Sequence, residues 1–295
     1  MVESEQDVIV RAARPEDRGP VLAFCLNTWS WGDYIPEVWD SWLADPRGQL
    51  LVAELAGVPV GLQHTSYPAP DEAWFQGLRV DPAFRGKGVA RALFTVGIDL
   101  ARQRGAKVAR LFTAADNAIS RRIVDQADFR TVAIFVHPTA EAEAGVGPVP
   151  EAAVPGEAEA LWGTIEVSQN YRLAEGTYCV GWRCLSLTKE RLAEHLAAGE
   201  VKVLRRRGLP VAVAIVHPSW DDDLWVAGIY GEHQPLARLA RLLRAQAAAL
   251  ALKEIGMLVP DVPEVLAPLE AAGYRRAYGN TVPGMVLYEK ALSPA

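Results

Sequence analysis

The 295-residue chain is 50% hydrophobic and 22% charged, which is typical of a folded globular protein and excludes a predominantly disordered one. Its length suggests two domains. Its net charge is −6, and neither half has the large basic surplus expected of a nucleic-acid-binding protein. No apolar run approaches the length of a membrane span, and the acidic first residues are unlike a signal peptide, so we expect a cytoplasmic protein that does not act at a membrane.

Cysteine and histidine usage predicts neither a disulfide framework nor a metal site. The three cysteines, Cys25, Cys179 and Cys184, are sparse and odd in number, so we expect them to be reduced thiols, in keeping with a cytoplasmic location. The five histidines do not show the spacing of metal ligands, and we expect no metal.

The first distinctive segment along the chain is rich in aromatic residues and leads into a predicted helix, 36–44, with proline in its first turn. Trp39 and Trp42 fall on the apolar face of this helix, which predicts that they are core residues. The connection before the helix combines aromatic rings with one carboxylate: Trp29, Trp31, Asp33 and Tyr34. Such a wall would suit a small amine through cation–π contact and an ion pair, although packing of the connection onto a sheet explains the tryptophans equally well.

A glycine-rich turn follows a short apolar strand that ends at Asp81, and it opens directly into an amphipathic helix. The N-terminus of a helix favours a phosphate, because its first N–H groups lack partners and its dipole is positive there. Gly86 and Gly88 let the backbone approach an anion closely, and Arg85 and Lys87 add positive charge. The turn matches neither the Walker P-loop nor the dinucleotide-binding fingerprint.

Residues 141–160 are rich in proline, glycine, alanine and glutamate, a composition typical of an extended linker. The linker separates a first domain, 1–140, from a second, 161–295. The two halves echo each other, because the pattern of 52–60 recurs in 203–211 at an offset of 151 residues. We therefore expect a duplicated architecture.

Each half has the order of strands and helices expected of an α+β domain with a mainly antiparallel, twisted sheet flanked by helices. The copies differ at the glycine-rich turn, because 85–90 falls on 236–241 at the same offset. The glycines are missing from the second copy, and a continuous helix is predicted there. We expect the second domain to lack the anion site and to be structural or to shape the acceptor site of the first.

The turn resembles the pyrophosphate loop of the GNAT superfamily of acyl-CoA-dependent N-acetyltransferases, which has the pattern Arg/Gln-x-x-Gly-x-Gly/Ala. Arg85, Gly88 and Ala90 match that pattern, and Leu78-x-Val80-x-Pro82 matches the end of the family's fourth strand. The resemblance implies two tandem GNAT-like domains, of which the first binds acetyl-CoA as a cosubstrate between splayed fourth and fifth strands. The residues it implies as acetyl-CoA contacts are Leu78, Arg79, Val80, Arg85, Gly86, Lys87, Gly88, Val89, Ala90 and Asn117.

The resemblance leaves the catalytic acid and base unassigned. Many relatives have a carboxylate on the fourth strand, at positions that correspond to Trp74 or Gln76, and a helix tyrosine where this chain has Val124. We take Gln76 as an acceptor-site residue that cannot act as a base. The remaining candidates for the base are Asp33 and His64, followed by Tyr67, Asp71 and Glu72.

Structural roles are the competing interpretation for three of these candidates. Asp71 and Glu72 lie in a predicted turn and are most simply solvated. His64 alternates with Val60 and Leu62 along a strand, which favours a histidine buried in the core.

A second resemblance, carried by the segments 33–46 and 76–80, is to the branch that includes histidine N-acetyltransferase. It implies a free amino acid or a similar small amine as the acceptor, and Arg79 could pair with a carboxylate of that acceptor. We therefore expect an acetyl-CoA-dependent N-acetyltransferase acting on the primary amine of a small molecule. The alternative is a non-catalytic acyl-CoA-binding or sensing protein, because the usual carboxylate and tyrosine are missing.

Overall fold

The computed structural model describes residues 7–26, 28, 32–218, 223–277 and 283–293. Contacts between residues divide the chain into two compact units. Unit 1 comprises Met1–Phe112, Asn117–Arg130 and Tyr288–Ala295, and unit 2 comprises Thr113–Asp116 and Thr131–Leu287. No helix among the described residues is both long and apolar enough to cross a membrane.

The first part of the chain alternates strands and helices around one sheet. In chain order its elements are β1 (Ile9–Ala12), α1 (Arg18–Cys25), α2 (Ile35–Leu43), β2 (Gly48–Leu55), β3 (Val58–Ala69), β4 (Glu72–Val80), α3 (Val89–Gln103), β5 (Val108–Ala114) and α4 (Ala118–Gln126). Strands β1 to β4 are antiparallel neighbours in sequence order, and β4 pairs with β5 in parallel.

The alternation of side chains along β2 explains why helices cover both faces of this sheet. Leu50 and Val52 pack with α1 and α2, whereas Leu51 and Ala53 pack with α3 on the other face. Both faces of the sheet are therefore buried, because the apolar face of each helix packs on one of the two alternating sets of strand side chains.

The remaining elements belong mostly to unit 2. In chain order they are β6 (Arg130–Val136), β7 (Pro138–Glu141), β8 (Glu151–Ala152), α5 (Ala158–Val167), α6 (Gln169–Leu173), β9 (Thr177–Val180), β10 (Arg183–Ser186), α7 (Lys189–Ala197), β11 (Val201–Arg206), β12 (Leu209–Pro218), β13 (Asp223–Gly231), α8 (His233–Ala249), β14 (Glu254–Met257), β15 (Val259–Pro260), α9 (Pro263–Ala271), β16 (Arg275–Arg276) and β17 (Met285–Ala291). The main sheet of unit 2 has the strand order β16-β7-β14-β13-β12-β11-β8, in which only the β13–β14 pair is parallel. The α+β class with mainly antiparallel sheets is thus confirmed.

The hairpin turns that join β2 to β3 and β11 to β12 repeat the same backbone conformation. Ala56 and Gly57 have φ values of 51° and 77°, and Arg207 and Gly208, at the offset of 151, have 53° and 82°. Two consecutive positive φ values define the turn that best fits the twist of a two-residue hairpin. The repeat seen in the sequence therefore has a structural counterpart at this turn.

The two units do not coincide with the predicted boundaries. Strand β7, which lies before residue 140, pairs with β14 in unit 2, and residues from Tyr288 onward in β17 belong to unit 1. The predicted linker contains β8, which pairs with β11. Hydrogen-bond partners decide to which unit a strand belongs, and local composition does not reveal those partners. The division at 140 and 160 as folding domains stays a prediction.

The prediction that all three cysteines are reduced is wrong for two of them. Cys179 and Cys184 form a disulfide, because they face each other across the β9–β10 hairpin with their Cα atoms 4.0 Å apart. Cys25 is buried and outside any disulfide, and its burial raises the pKa of the thiol to about 12. The spacing of five residues between the paired cysteines did not reveal the hairpin register that brings them together.

Candidate active site

Strands β4 and β5 separate after a short region of pairing. The pairs run from Glu72–Val108 to Trp74–Arg110, whereas β4 continues to Val80 and β5 to Ala114. The two strands are paired at their N-terminal ends only, and the backbone of β4 from Gln76 to Val80 lies beyond that region. Leu78, Arg79 and Val80 are half-buried there, as expected for an edge that a ligand could approach.

A bulge in β4 occupies the same stretch. Between the pairs Leu62–Arg79 and His64–Gln76, β4 has two residues, Gly77 and Leu78, opposite one in β3. Gly77 has a φ of 70°, and a Cβ on it would lie 2.5 Å from a ring carbon of Trp42. Glycine is required at this place on both grounds, and the bulge turns the end of β4 relative to its start.

The glycine-rich loop lies between the end of β4 and the start of α3. Asp81 begins it by accepting a hydrogen bond from the N–H of Ala83 (2.9 Å), and one 3-10 turn follows at Pro82–Phe84. Gly86 and Gly88 have φ values of 77° and 80°, and a Cβ on either would meet no described atom within 4 Å. These conformations leave open space at the N-terminus of α3.

The charged members of this loop face solvent. Arg85 and Lys87 are exposed, and the Lys87 ammonium lies 5.1 Å from the centre of the Phe84 ring. Val89 and Ala90 begin α3, and Val89 is buried against Gly61 of β3, where a Cβ would lie 2.7 Å from the valine methyl. The loop therefore combines uncovered backbone, a helix N-terminus and two cations, a combination that suits a diphosphate.

The second half has no such loop. Only Glu232 separates β13 from α8, whereas residues 81–88 separate β4 from α3. Residues 236–241 lie within α8, and Leu236, Leu239 and Ala240 are buried in the core of unit 2. Their backbone N–H groups are inside a helix, which fits the expected loss of the anion site in the second copy.

Asn117 lies at the start of the helix after β5, as predicted from the sequence. It is the N-cap of α4, and its side-chain oxygen accepts a hydrogen bond from the N–H of Ser120 (3.0 Å). Val124, about two turns further along α4, is buried. The valine therefore packs in the core at the position where relatives have a tyrosine.

Asp33 forms a bidentate ion pair with Arg79. The two nitrogen–oxygen distances are 2.7 Å and 3.1 Å, and Asp33 also accepts a hydrogen bond from the N–H of Ile35 (3.1 Å), at the start of α2. The Asp33 side chain is 1% exposed and that of Arg79 is 12% exposed. Burial by itself would raise the pKa of Asp33, but hydrogen bonds from Arg79 and Thr28 hold it below its usual value.

His64 lies in a buried polar cluster behind Trp42. Its ring stacks on the Trp42 indole at 4.6 Å between centroids, and its Nδ1 accepts a hydrogen bond from the side-chain amide of Gln76 (3.0 Å). Its Nε2 lies 3.5 Å from a carboxylate oxygen of Asp45. The His64 side chain is 1% exposed, and its role as a base stays a prediction.

A scan against protein-family models matches residues 18–129 to the family described as "Acetyltransferase (GNAT) family". Residues 18–129 therefore form a domain of the GNAT family. The match contains the β4 bulge, the glycine-rich loop and the start of α4.

Two curated relatives match about a third of the chain. The human protein named "Probable N-acetyltransferase 16" is 36% identical over 94 residues, which are 31% of this chain and 26% of that protein. Histidine N-acetyltransferase of Oreochromis niloticus is 32% identical over 102 residues, which are 34% and 30% of the two chains. Each match thus spans less than a third of the relative's length.

The GNAT fold extends beyond the matched residues. A GCN5-related N-acetyltransferase from Sphaerobacter thermophilus superimposes with a TM-score of 0.64 at 15% identity, covering 100% of this chain and 98% of that one. A glucosamine N-acetyltransferase region of a fungal beta-N-acetylglucosaminidase gives 0.61 at 16% identity, covering 98% of this chain and 38% of that one. At 15% and 16% sequence identity, these two structures show a shared fold and nothing more.

The GNAT site that emerges differs in part from the sequence prediction. The structure brings together Asp33, Tyr34 and Arg79, and the Arg79 guanidinium lies 5.2 Å from the centre of the Tyr34 ring. Gln76 is linked to Tyr34 through His64 and Trp42. Trp29 and Trp31 lie outside the described residues. Asp33, which was expected to be available to an amine or to act as a base, already has both oxygens engaged, and that role stays a prediction.

Two other candidates have structural partners. Glu72 was expected to be solvated, but it is buried in an ion pair with Arg110, whose guanidinium also bonds Glu289 at 2.7 Å. Asp71 does lie near the surface, 3.7 Å from the Lys107 ammonium. The prediction for Glu72 is wrong, because Glu72 is the first residue of β4 and its side chain is buried.

Trp42 and Asp45 are the site residues that the sequence analysis missed. Trp42 packs against the core, as predicted, but it also stacks on His64, and its ring centre lies 6.0 Å from that of Tyr34. No local pattern indicated that Trp42 and Asp45 contact His64, because His64 lies on β3 and is distant from both in the sequence.

Proposed function

We propose that the first half of the chain transfers an acetyl group from acetyl-CoA to the primary amine of a small molecule. The observation that carries this proposal is the separation of β4 from β5 next to the loop at 81–88. A gap between strands gives a ligand access to the strand edges, and the loop offers a place for a diphosphate at one end of that gap.

The residues present fit acetyl-CoA as a substrate. The N–H groups that follow Arg85 would bind the diphosphate, with Gly86 and Gly88 leaving room for it. The backbone of Leu78 and Val80 would pair with the amide groups of the pantetheine arm. When bound, acetyl-CoA supplies a thioester carbonyl that an amine can attack, and a β4 N–H directed at the carbonyl oxygen would stabilise the charge that develops there.

Small amines suit the surface beside the β4 bulge. Tyr34, Trp42 and Gln76 are half-buried there. An aromatic wall attracts a cation, and the amide of Gln76 can bond an amine or a carboxylate. The likeness to a histidine N-acetyltransferase supports a free amino acid, histidine included, as the acceptor.

The direct test is release of CoA from acetyl-CoA in the presence of single amines. Histidine, other free amino acids and histamine, which lacks the carboxylate, form an informative panel, with the acetylated product identified by mass. We expect turnover with at least one amino acid. If acetyl-CoA binds tightly and no amine accelerates CoA release, the enzymatic proposal fails.

That failure would favour the second candidate, a non-catalytic acyl-CoA-binding or sensing protein. The observation in its favour is that Gln76 and Val124 stand where many relatives have a carboxylate and a tyrosine. A sensor needs the binding loop but neither of these groups.

If the protein is an enzyme, Gln76 predicts an unusual dependence of rate on pH. Without a carboxylate on β4, the acceptor must lose its proton to water or arrive deprotonated, so kcat/KM of the wild type should keep rising towards the pKa of the amine. Gln76→Glu should raise kcat/KM near neutral pH, because a positioned base contributes roughly 10²- to 10⁴-fold.

The measurement is kcat/KM against pH for the wild type, Gln76→Glu and His64→Ala with one amine. Gln126→Glu adds the same charge at an exposed position of α4 and serves as the control. A wild-type profile that levels off below about pH 7, the range in which a histidine titrates, would instead reveal a dedicated base. If that plateau is lost in His64→Ala, the base is His64.

A further inference from the structure

Unit 2 contains a cluster of two histidines and a glutamate that plays no part in the proposed acetyl transfer. His195, Glu200 and His217 each offer one ligand atom, and these atoms all lie within 4.8 Å of one another. The Nδ1 atoms of His195 and His217 lie 2.7 Å and 3.0 Å from the two carboxylate oxygens of Glu200. Both imidazoles thus direct the same nitrogen at one carboxylate.

The backbone fixes the three residues at one place. His195 lies in the last turn of α7, and the N–H of Glu200 donates to the carbonyl oxygen of His195 (3.0 Å). The carbonyl oxygen of Glu200 accepts from the N–H of Val216 (2.8 Å), which places Glu200 beside His217 near the end of β12. Two elements that are separate in the sequence therefore hold the cluster without any help from an ion.

Tyr178 forms a hydrogen bond with His195. Its hydroxyl lies 2.8 Å from Nε2 of His195, so that hydrogen bond can fix the ring and leave Nδ1 facing Glu200. This is the arrangement found around histidines that bind metals, where the second ring nitrogen is held by a neighbouring polar group. Tyr178 is buried on β9, which makes it a rigid support.

The cluster is sheltered but open to water. The side chains of His195, His217 and Glu200 are 10%, 20% and 25% exposed, respectively. A cation held there would lose most of its hydration on the protein side and could keep water on the other. Such partial exposure is what a site with three protein ligands needs.

We propose that His195, Glu200 and His217 bind a divalent transition-metal cation of the zinc class. Two imidazole nitrogens and one carboxylate form a donor set that suits zinc and its neighbours, whereas calcium and magnesium prefer oxygen ligands throughout. The cation would bind the two Nδ1 atoms and the Glu200 carboxylate, and water would complete its coordination. The ion joins α7 to β12 within unit 2.

The histidine spacing along the chain gave no indication of this site. His217 has its partners only because the end of α7 and the end of β12 meet across the hairpin of β11 and β12. The proposal is also independent of the acetyltransferase activity. The three ligands and Tyr178 all belong to unit 2, and none lies on β4, on α3 or in the loop between them.

The test is zinc binding by the full chain after treatment with a chelator, measured by isothermal titration calorimetry. The variants are His217→Gln, which keeps a hydrogen-bond donor for Glu200, and Glu200→Gln, with His233→Gln as the control because His233 is exposed at the start of α8. We expect one zinc per chain in the wild type and in His233→Gln. Removing the ligand His217 should weaken binding by more than about 100-fold, and Tyr178→Phe, which removes only a supporting group, by about 10- to 100-fold.

A second readout separates this site from surface carboxylates. Cobalt(II) added in place of zinc should give the visible absorption of a nitrogen-ligated ion in the wild type and in His233→Gln, and lose it in His217→Gln. Circular dichroism identifies a variant that has not folded, in which case the other ligand variant decides. Failure of the wild type to bind zinc, or equal binding by the wild type and a folded ligand variant, overturns the proposal.

Discussion

Gly88→Trp should abolish acetyl-CoA binding while leaving the fold intact. Gly88 caps α3 with a φ of 80°, and its missing side chain leaves open space beside the first N–H groups of the helix. An indole in that space would cover the groups that we propose bind the diphosphate. A residue other than glycine also costs about 1–2 kcal/mol in this left-handed conformation, so the variant needs a control for strain.

Gly105→Trp provides that control. Gly105 follows the other end of the same helix, has a φ of 83°, and a Cβ on it would also meet no described atom within 4 Å. The two variants therefore carry the same side chain and a similar strain, but only one is at the loop. Calorimetry should show wild-type affinity for acetyl-CoA in Gly105→Trp and no binding in Gly88→Trp.

The same titration tests the difference between the halves. Because Glu232 alone connects β13 to α8, we expect one molecule of acetyl-CoA per chain. Two equivalent sites per chain, or binding that survives in Gly88→Trp, would contradict the assignment of the loop. Loss of binding in both tryptophan variants would point to strain in α3 instead.

Local features of the chain were predictable because they depend on residues close in sequence. The glycine-rich loop, the start of α3 and the cap at Asn117 each follow from a few neighbouring residues. The repeated hairpin turn at Ala56 and Arg207 was visible for the same reason. These features also carry the family resemblance, which is why the α+β class could be predicted.

Features that depend on distant partners were not predictable in the same way. The Cys179–Cys184 disulfide needs the register of a hairpin, and the Arg110–Glu289 pair joins residues 179 positions apart. The pairing of β7 with β14 likewise depends on which strand edges meet. Composition and periodicity indicate that a strand exists, but they do not identify its neighbour.

The candidate site was predictable only in part. Asp33 and Gln76 were picked out by their chemical types and positions, yet their roles depend on Arg79 and His64, which reach them from other elements. A carboxylate that looks available in the sequence is therefore engaged in the fold. Replacing Asp33 is therefore expected to affect the stability of the fold.

Asp33→Asn should lower the free energy of unfolding by about 3–5 kcal/mol, because it leaves the buried Arg79 guanidinium without its counter-charge. Asp99→Asn is the matched control. Asp99 also pairs with an arginine, Arg102, but both side chains are well exposed, and such pairs contribute about 0–1 kcal/mol. Urea unfolding of the wild type and the two variants at pH 7 measures both effects.

The pH dependence of the Asp33→Asn effect distinguishes an ion pair from simple packing. The folded protein holds the pKa of Asp33 below its usual value, so the stabilisation is fully present above the unfolded pKa of about 3.9 and is lost as the pH falls through the lower, folded pKa. Asparagine does not titrate, and the difference between wild type and variant should therefore be constant from pH 7 down to about pH 5 and then shrink. If Asp33 instead serves the acceptor, the variant should unfold like the wild type and lose only its use of the amine, with acetyl-CoA affinity unchanged. That result would return Asp33 to the role that its position beside Tyr34 first suggested.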